Sequence, residues 1–408
     1  MVSSENITFT ESSWFGWKFT EYKANGHNLN GDYTMKKVIV DGYFTNNLGD
    51  DLFLKVLAER FPHVELVILS DKKYADIYHQ INKLKVINKN FLVKVINRYV
   101  NFIPSRLIPK LLSYSADAYL EIGGSIFQQV NVSDGVTVKR KNILKSGIPY
   151  FIIGSNFGPV MTQEYIDEYR SFFACIKNIT VRDSASYELF DNLNNIQLAP
   201  DVVFGLDASN ISKSYLNRPY IVITAIDLTY DGRVLGEKYK SDSKGYRQNM
   251  VKLCELIIDS GYDIKLVPFS VFEQDANMAL QIKMGISNKK KAKIEIIKYT
   301  NISDILSLIK SASGIVSGRY HSMILGWVFR IPQLVLTYSD KMENTITDTF
   351  PEQKRVTIKK FSEKSIFKTF TLNEYMNTID NDNLKSSIHR SKLHFEKLSN
   401  FLNNDSLN

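Results

Sequence analysis

The sequence predicts two doubly wound α/β domains that face a cleft and are closed off by C-terminal helices. Three observations carry that prediction. Short apolar runs such as VELVILS (64–70) and PYFIIGS (149–155) alternate with helical stretches, the pattern of parallel sheets covered on both faces. The alternation starts near Lys36 and begins afresh after Asp207. At 408 residues the chain is too long for one average domain and comfortable for two.

The elements follow in order. KKVIVDGYF (36–44) is strand-like and breaks before a helix starting near Asp50. VELVILS, AYLEIG (118–123), PYFIIGS and NITVRD (178–183) are strands, each followed by a turn signal or a helical stretch. The second run holds RPYIVITAI (218–226), a helix over about 244–260, YDIKLVPFS (262–270), a further helix and IEIIKY (294–299). A helix from Ser303, GIVSG (314–318), a helix opened by Arg319-Tyr320-His321, and QLVLTY (333–338) complete it. Domain boundaries are therefore set at 35–207 and 208–364, with helices and a tail over 365–408, where Ile388, Phe395, Leu398 and Leu402 form one apolar face. Residues 1–34 hold Trp14 and Trp17 without periodic patterning, and are expected to be a poorly ordered extension or an aromatic docking arm.

Composition narrows the class. A hydrophobic fraction of 44% with 23% charged residues is that of a soluble globular protein. No run reaches the roughly 18 apolar residues of a membrane span, and no signal segment opens the chain. Two cysteines, Cys175 and Cys254, form no CxxC pair, which fits a reducing, cytoplasmic location. The formal charge of +8 is concentrated: between Asp76 and Asp117 there are seven lysines and arginines and no acid. Val86, Ile87, Phe91, Leu92, Val95 and Ile96 fall near helical spacing there, so the stretch reads as a basic amphipathic helix. It either packs on its own domain or meets an anionic partner, such as the inner face of a membrane or a lipid-linked diphosphate. No nucleic-acid motif accompanies the charge, so nucleic acid is not expected.

Four polar clusters fall at strand ends, where ligands bind in open α/β sheets. In DGYFTNNLGDDL (41–52), Asp50 either caps the helix or joins Asn47 in contacting substrate hydroxyls. In EIGGSIFQQ (121–129), Gly123 and Gly124 serve a tight turn or let a ligand approach the backbone, with Ser125 beside them. In ITVRDSASYELF (179–190), Asp183 is expected to cap a helix. Arg182 holds an anion through its fork or pairs with Asp183 or Asp201. In SGRYHSMILG (317–326), Arg319 and His321 begin a helix, offering a clamp and a titrating group beside unpaired N–H groups. No HExxH, GxSxG, P-loop or multi-histidine pattern is present, so the chemistry reads as acid/base work on an anionic substrate, with no metal and no cofactor expected.

In this order the clusters resemble the polysaccharide pyruvyl transferase family. The resemblance rests on GYFTNNLGD (42–50), GGSIFQ (123–128), GSNFGPV (154–160), Arg182-Asp183-x-x-Ser186, APDVVF (199–204), and Arg319-Tyr320-His321 leading to Tyr338 and Lys341. It runs from about residue 37 to about 345, with Tyr320 in place of the usual Leu and Ser125 in place of a third glycine. The resemblance implies a GT-B-like architecture and transfer from phosphoenolpyruvate to two hydroxyls of a sugar, forming a pyruvate ketal on a cell-surface polysaccharide or its lipid-linked precursor. Arg182, Arg319, Lys341, Ser317 and Gly318 would hold the donor, with His321 and Arg319 catalytic. Asn47, Asp50, Gly123, Gly124 and Ser125 would face the acceptor. Two other readings remain open: a nucleotide-sugar glycosyltransferase using Asp340 or Glu343, and a non-catalytic component of capsule assembly.

Overall fold

Two all-parallel sheets organise the chain, in a computed structural model that describes residues 35–88, 115–214, 218–229, 239–271, 273–368 and 371–404. The first sheet contains β1 (Lys37–Asp41), β2 (Glu65–Ser70), β3 (Leu84–Asn88), β4 (Ala118–Ile122), β5 (Tyr150–Ser155), β6 (Asn178–Val181) and β7 (Ile196–Leu198). Its order is β3-β2-β1-β4-β5-β6-β7. The second contains β8 (Tyr220–Thr224), β9 (Asp263–Leu266), β10 (Ile294–Ile296), β11 (Gly314–Ser317), β12 (Gln333–Thr337) and β13 (Arg355–Thr357), ordered β10-β9-β8-β11-β12-β13. Central strands β4, β8 and β12 are buried at every residue, which is why they read as continuous apolar runs rather than alternating ones. Each order reverses once, between β1 and β4 and between β8 and β11, and a ligand crevice is expected outside the carboxyl ends of those strands.

The helices of the first half are α1 (Leu48–Arg60), α2 (Ala75–Tyr78), α3 (Val138–Leu144), α4 (Gln163–Ala174) and α5 (Ser184–Glu188). The second half adds α6 (Ser243–Asp259), α7 (Asp275–Gly285), α8 (Ile302–Lys310), α9 (Tyr320–Val328), α10 (Asp340–Thr349) and α11 (Ile358–Phe361). The chain closes with α12 (Leu372–Tyr375), α13 (Asn381–Ser391) and α14 (Leu393–Asn404). Among the described residues no helix is long and apolar enough to cross a membrane.

Each sheet has an apolar cluster of its own on one face, and a third cluster is shared between the two halves. One apolar cluster joins α1, the short turn Val202–Gly205 and α9, and Phe204 of the first half stacks on Trp327 of the second at 6.3 Å and 9°. Backbone pairs add to the joint: Leu48 N–H donates to Phe269 O at 2.8 Å and Val271 N–H to Asn46 O at 3.2 Å. Asp51, fully buried in α1, accepts from Tyr78 at 2.8 Å and from Tyr299 of the other half at 2.7 Å. Burial pushes its carboxyl up to about 8, against the pull of those hydroxyls.

The last helix returns to the first sheet. α14 packs across β5, β6 and β7, burying Phe395, Leu398 and Leu402, while His394 bonds Thr180 at 2.8 Å and the Pro200 carbonyl at 2.5 Å. Ile388, expected on the same apolar face, is 36% exposed: it lies on a separate helix, α13, whose buried residues are Leu384, Ser387 and Ser391. A second departure concerns the basic stretch. Val86 and Ile87 lie in β3, paired with Ile68 and Leu69, rather than on a helix, because an edge beside β2 is open to them. The rest of that stretch, from Lys89 to Lys110, and residues 1–34 lie outside the described residues.

Candidate active site

The two switch points face each other, and the polar clusters meet there. Asn47 caps α1, its side-chain oxygen accepting from Gly49 N–H at 3.2 Å and its amide donating to Asp50 at 2.9 Å. Asp50 is thereby relieved of the capping expected of it as one alternative. Gly49 meets the second domain: a Cβ there would lie 1.9 Å from His321 Nδ1, so only glycine lets the imidazole settle on this turn. His321 also packs edge-on against Phe53 at 5.1 Å and Tyr320 at 5.0 Å. Its Nε2 is buried without a hydrogen-bond partner among the described residues, with Asp201 Oδ2 3.7 Å away. Burial lowers the imidazole below its ordinary value, against the attraction of Asp201, so the neutral form prevails at neutral pH.

Arg182 sits beneath this histidine, fully buried. It donates to Asp201 Oδ2 at 2.7 Å and to Asn156 Oδ1 at 2.8 Å, and its guanidinium lies 4.4 Å from the centre of the Tyr320 ring. Its Nε has no partner among the described residues. Gly124 makes room for it, since a Cβ there would stand 2.2 Å from Nη2. Burial alone would raise the Asp201 carboxyl, but His321 and Arg182 beside it hold it below the usual range. Asp183 caps α5 as expected, accepting from Ser186 N–H at 2.8 Å, and is not the partner of Arg182.

Lys341, in the first turn of α10, completes the group. Its Nζ is 4.3 Å from the Tyr320 ring centre and 3.4 Å from Ser125 Oγ, which in turn donates to Asn156 at 3.1 Å. Burial and then the like charge of Arg182 push its amine down to about 7. Asp50 moves the other way: burial pushes it up to about 7, against the attraction of Lys341 and Arg182. A carboxyl and an amine each poised near neutrality, in reach of one another's field, are suited to proton transfer. At the end of β12, Thr337 and Ser339 carry buried hydroxyl oxygens without partners among the described residues.

Three expected donor contacts take other places. Arg319 was expected as an anion clamp, yet Nε donates to Asp275 at 2.8 Å, Nη2 also meets Asp275, and Nη1 donates to Glu273 at 2.6 Å. Two carboxylates engage its fork, so it anchors Glu273 and Asp275 instead of standing free for a ligand. Ser317 is fully buried and donates to Gln333 at 2.9 Å inside the sheet. Gly318 N–H donates to Thr224 O at 3.0 Å, tying β11 to β8. Gly123 turns the chain against Ile126 before Gly124 and Ser125 reach the site. Sequence alone does not single out Asp201, Asn156 and Ser339 as site residues, although Asp201 lies in APDVVF and is one of the two partners the sequence offers Arg182. Glu343, a nucleotide contact in one rival reading, is held by Arg355 at 2.6 Å.

Two Rossmann-type domains whose facing strand ends bring together a buried arginine, a lysine, a neutral histidine and a carboxyl near neutrality define a GT-B-like protein. Residues 47–340 match the family polysaccharide pyruvyl transferase, and the chain belongs to that family. No curated protein sequence matches it significantly. Among solved structures, UDP-N-acetylglucosamine 2-epimerase from Rickettsia bellii aligns with TM-score 0.54 at 12% identity, covering 91% of this chain and 98% of that one. UDP-GlcNAc 2-epimerase from Methanocaldococcus jannaschii gives 0.53 at 13%, covering 90% and 99%. HepE from Anabaena, in complex with UDP and glucose, gives 0.53 at 10%, covering 91% and 100%. At such identities the likeness is one of fold.

Proposed function

We propose that the protein transfers a pyruvyl unit from phosphoenolpyruvate to two hydroxyls of a polysaccharide sugar or its lipid-linked precursor, releasing phosphate and forming a cyclic ketal. The observation that carries the reading is a set of buried groups without hydrogen-bond partners among the described residues, each just past or at the carboxyl end of a strand: Arg182 Nε after β6, His321 Nε2 after β11, and the hydroxyls of Thr337 and Ser339 at the end of β12. Buried polar groups ordinarily find partners, so a cluster left bare marks where a ligand's oxygens belong. A donor carrying both a carboxylate and a phosphate suits Arg182 on one side, and on the other Lys341, Ser339 and the first turn of α10.

The chemistry then distributes as follows. A sugar hydroxyl oxygen bonds to the donor's C2 while the enol methylene gains a proton and becomes methyl. The bond between C2 and the phosphate oxygen breaks, and the second hydroxyl oxygen closes the ketal. Of the two hydroxyl protons, one ends on the methyl and one on the phosphate. Neutral His321 takes a proton from the attacking hydroxyl, with Asp201 stabilising the imidazolium; Asp50, on the acceptor side, receives the sugar hydroxyls. Positive charge developing at C2 is stabilised by the donor's own bound anionic groups.

Thermal unfolding with phosphoenolpyruvate, a panel of nucleotide sugars, and plain phosphate tests the reading without an acceptor. A ligand at 100 times its Kd adds about 2.7 kcal/mol of stability. Stabilisation by phosphoenolpyruvate that is lost in Lys341→Met supports it; stabilisation by a nucleotide sugar alone overturns it in favour of glycosyl transfer. With an acceptor in hand, His321→Gln keeps the phosphoenolpyruvate shift and lowers turnover by about 10²–10⁴.

A further inference from the structure

Away from the cleft, the end of α1 and the joint between α13 and α14 enclose a cavity of about 420 Å³. Arg60, His389, Arg390 and Lys392 line it, with one carboxylate, Glu396. All five side chains lie on exposed residues, so the cavity opens to solvent. Its arginines differ from most others in the molecule. Arg140, Arg170, Arg182, Arg218, Arg319 and Arg355 each face a carboxylate in an ion pair. Arg60 and Arg390 have neither ion pair nor side-chain hydrogen bond among the described residues, and Lys392 is in the same position. Arg60 and Arg390 each end a helix, where the dipole favours a cation. That accounts for a positive residue at either place, but not for two unpaired guanidinium groups and an ammonium converging on one hollow.

We propose that this cavity binds a phosphate-bearing anion. Three fixed positive charges against one negative leave a net field that favours a multivalent anion over a single carboxylate, and paired guanidinium groups match phosphate oxygens in geometry. The volume accommodates a phosphorylated head of modest size. Two sources present that chemistry: a free phosphorylated solute, and the head group of an anionic lipid at a membrane surface. The site is also placed to be felt elsewhere. α14 supplies Glu396 to the cavity on one face, and on the other His394, bonded to the Pro200 carbonyl next to Asp201. The proposal stands apart from the pyruvyl-transfer reading, since no residue is shared.

Acylation of lysines followed by peptide mass spectrometry reads the cavity locally in the full chain, because Lys392 is exposed and lines it. Lys244, exposed on the second domain, is the internal control. Inorganic pyrophosphate at about ten times its Kd should slow labelling of Lys392 about tenfold and leave Lys244 unchanged, if the ligand is a free solute. Protection by phosphatidylcholine vesicles containing phosphatidylglycerol, absent with phosphatidylcholine alone and with pyrophosphate, assigns a lipid surface. In either case Arg60→Gln/Arg390→Gln, two exposed changes, removes the protection. Labelling that neither probe slows, or that slows equally in the double variant, overturns the proposal.

Discussion

Arg182 and Arg319 occupy matching places in the two halves. Each follows a parallel strand, precedes a helix, is buried, and bonds a buried aspartate. Their surroundings nonetheless give them different work. Arg182 gives Asp201 one bond, leaves Nε bare, and lies against the Tyr320 ring beside Lys341. Arg319 meets Asp275 through two nitrogens and Glu273 through the third. In the proposed reading, the number of carboxylates around a guanidinium, rather than its address at a strand end, is what would separate an anion site from a structural anchor.

The strongest way to break this contrast is Arg319→Met. Removing one partner of a buried ion pair leaves the Asp275 carboxylate with its backbone donors but without a countercharge, a loss of about 3–5 kcal/mol. Urea denaturation should show that loss, with the phosphoenolpyruvate shift preserved in the folded protein; a stable variant that no longer responds to phosphoenolpyruvate would make Arg319 the clamp after all. Arg182→Lys keeps the charge and removes the fork. Donor affinity should fall by about tenfold to a hundredfold, the worth of about 1.5–3 kcal/mol for a hydrogen bond to a charged group, with a smaller change in urea midpoint. Unchanged affinity by titration calorimetry would erase the distinction.

Smaller effects sharpen it. Gly49→Ala forces the His321 ring off its seat and should lower stability by about 1–3 kcal/mol and turnover with it, measured by urea midpoint and initial rate. A pH effect tests the site itself. Asp50 ionises near 3.8 when unfolded and near 7 when folded, so its contribution to stability is full below about pH 4 and disappears as pH rises through 7. Lys341 runs oppositely, from 10.5 unfolded to about 7, and its contribution is full above its unfolded value and lost as pH falls through 7. Asp50→Asn should therefore raise the denaturation midpoint at pH 8 and leave it unchanged at pH 4. An equal shift at both values would assign the effect to packing.

What was legible in the sequence follows from the range over which each interaction acts. Strand ends announce themselves locally, through Gly123-Gly124, Asp183 and the break at Asn46-Asn47, and each of these follows the carboxyl end of a strand. The role of Arg319 was not legible, because Asp275 and Glu273 lie 44 and 46 residues earlier and only the fold brings them together. Asn47 and Asp50 are both good caps, and only backbone geometry decides between them. Val86 and Ile87 were read into a helix from spacing shared with residues beyond Asn88, whereas a neighbouring strand had an edge to offer.

The return of α14 to β5, β6 and β7 has a consequence for how the protein is made. β7 ends at Leu198, but the apolar cover holding Phe395, Leu398 and Leu402 is built from the last residues described. At about 5–20 residues per second, the ribosome needs roughly 10–40 s to pass from the end of that sheet to its cover. Throughout that interval the first sheet is complete in sequence but lacks its cover over β5, β6 and β7. Apolar surface exposed in this way favours aggregation, and a stop codon anywhere before α14 would leave it exposed for good.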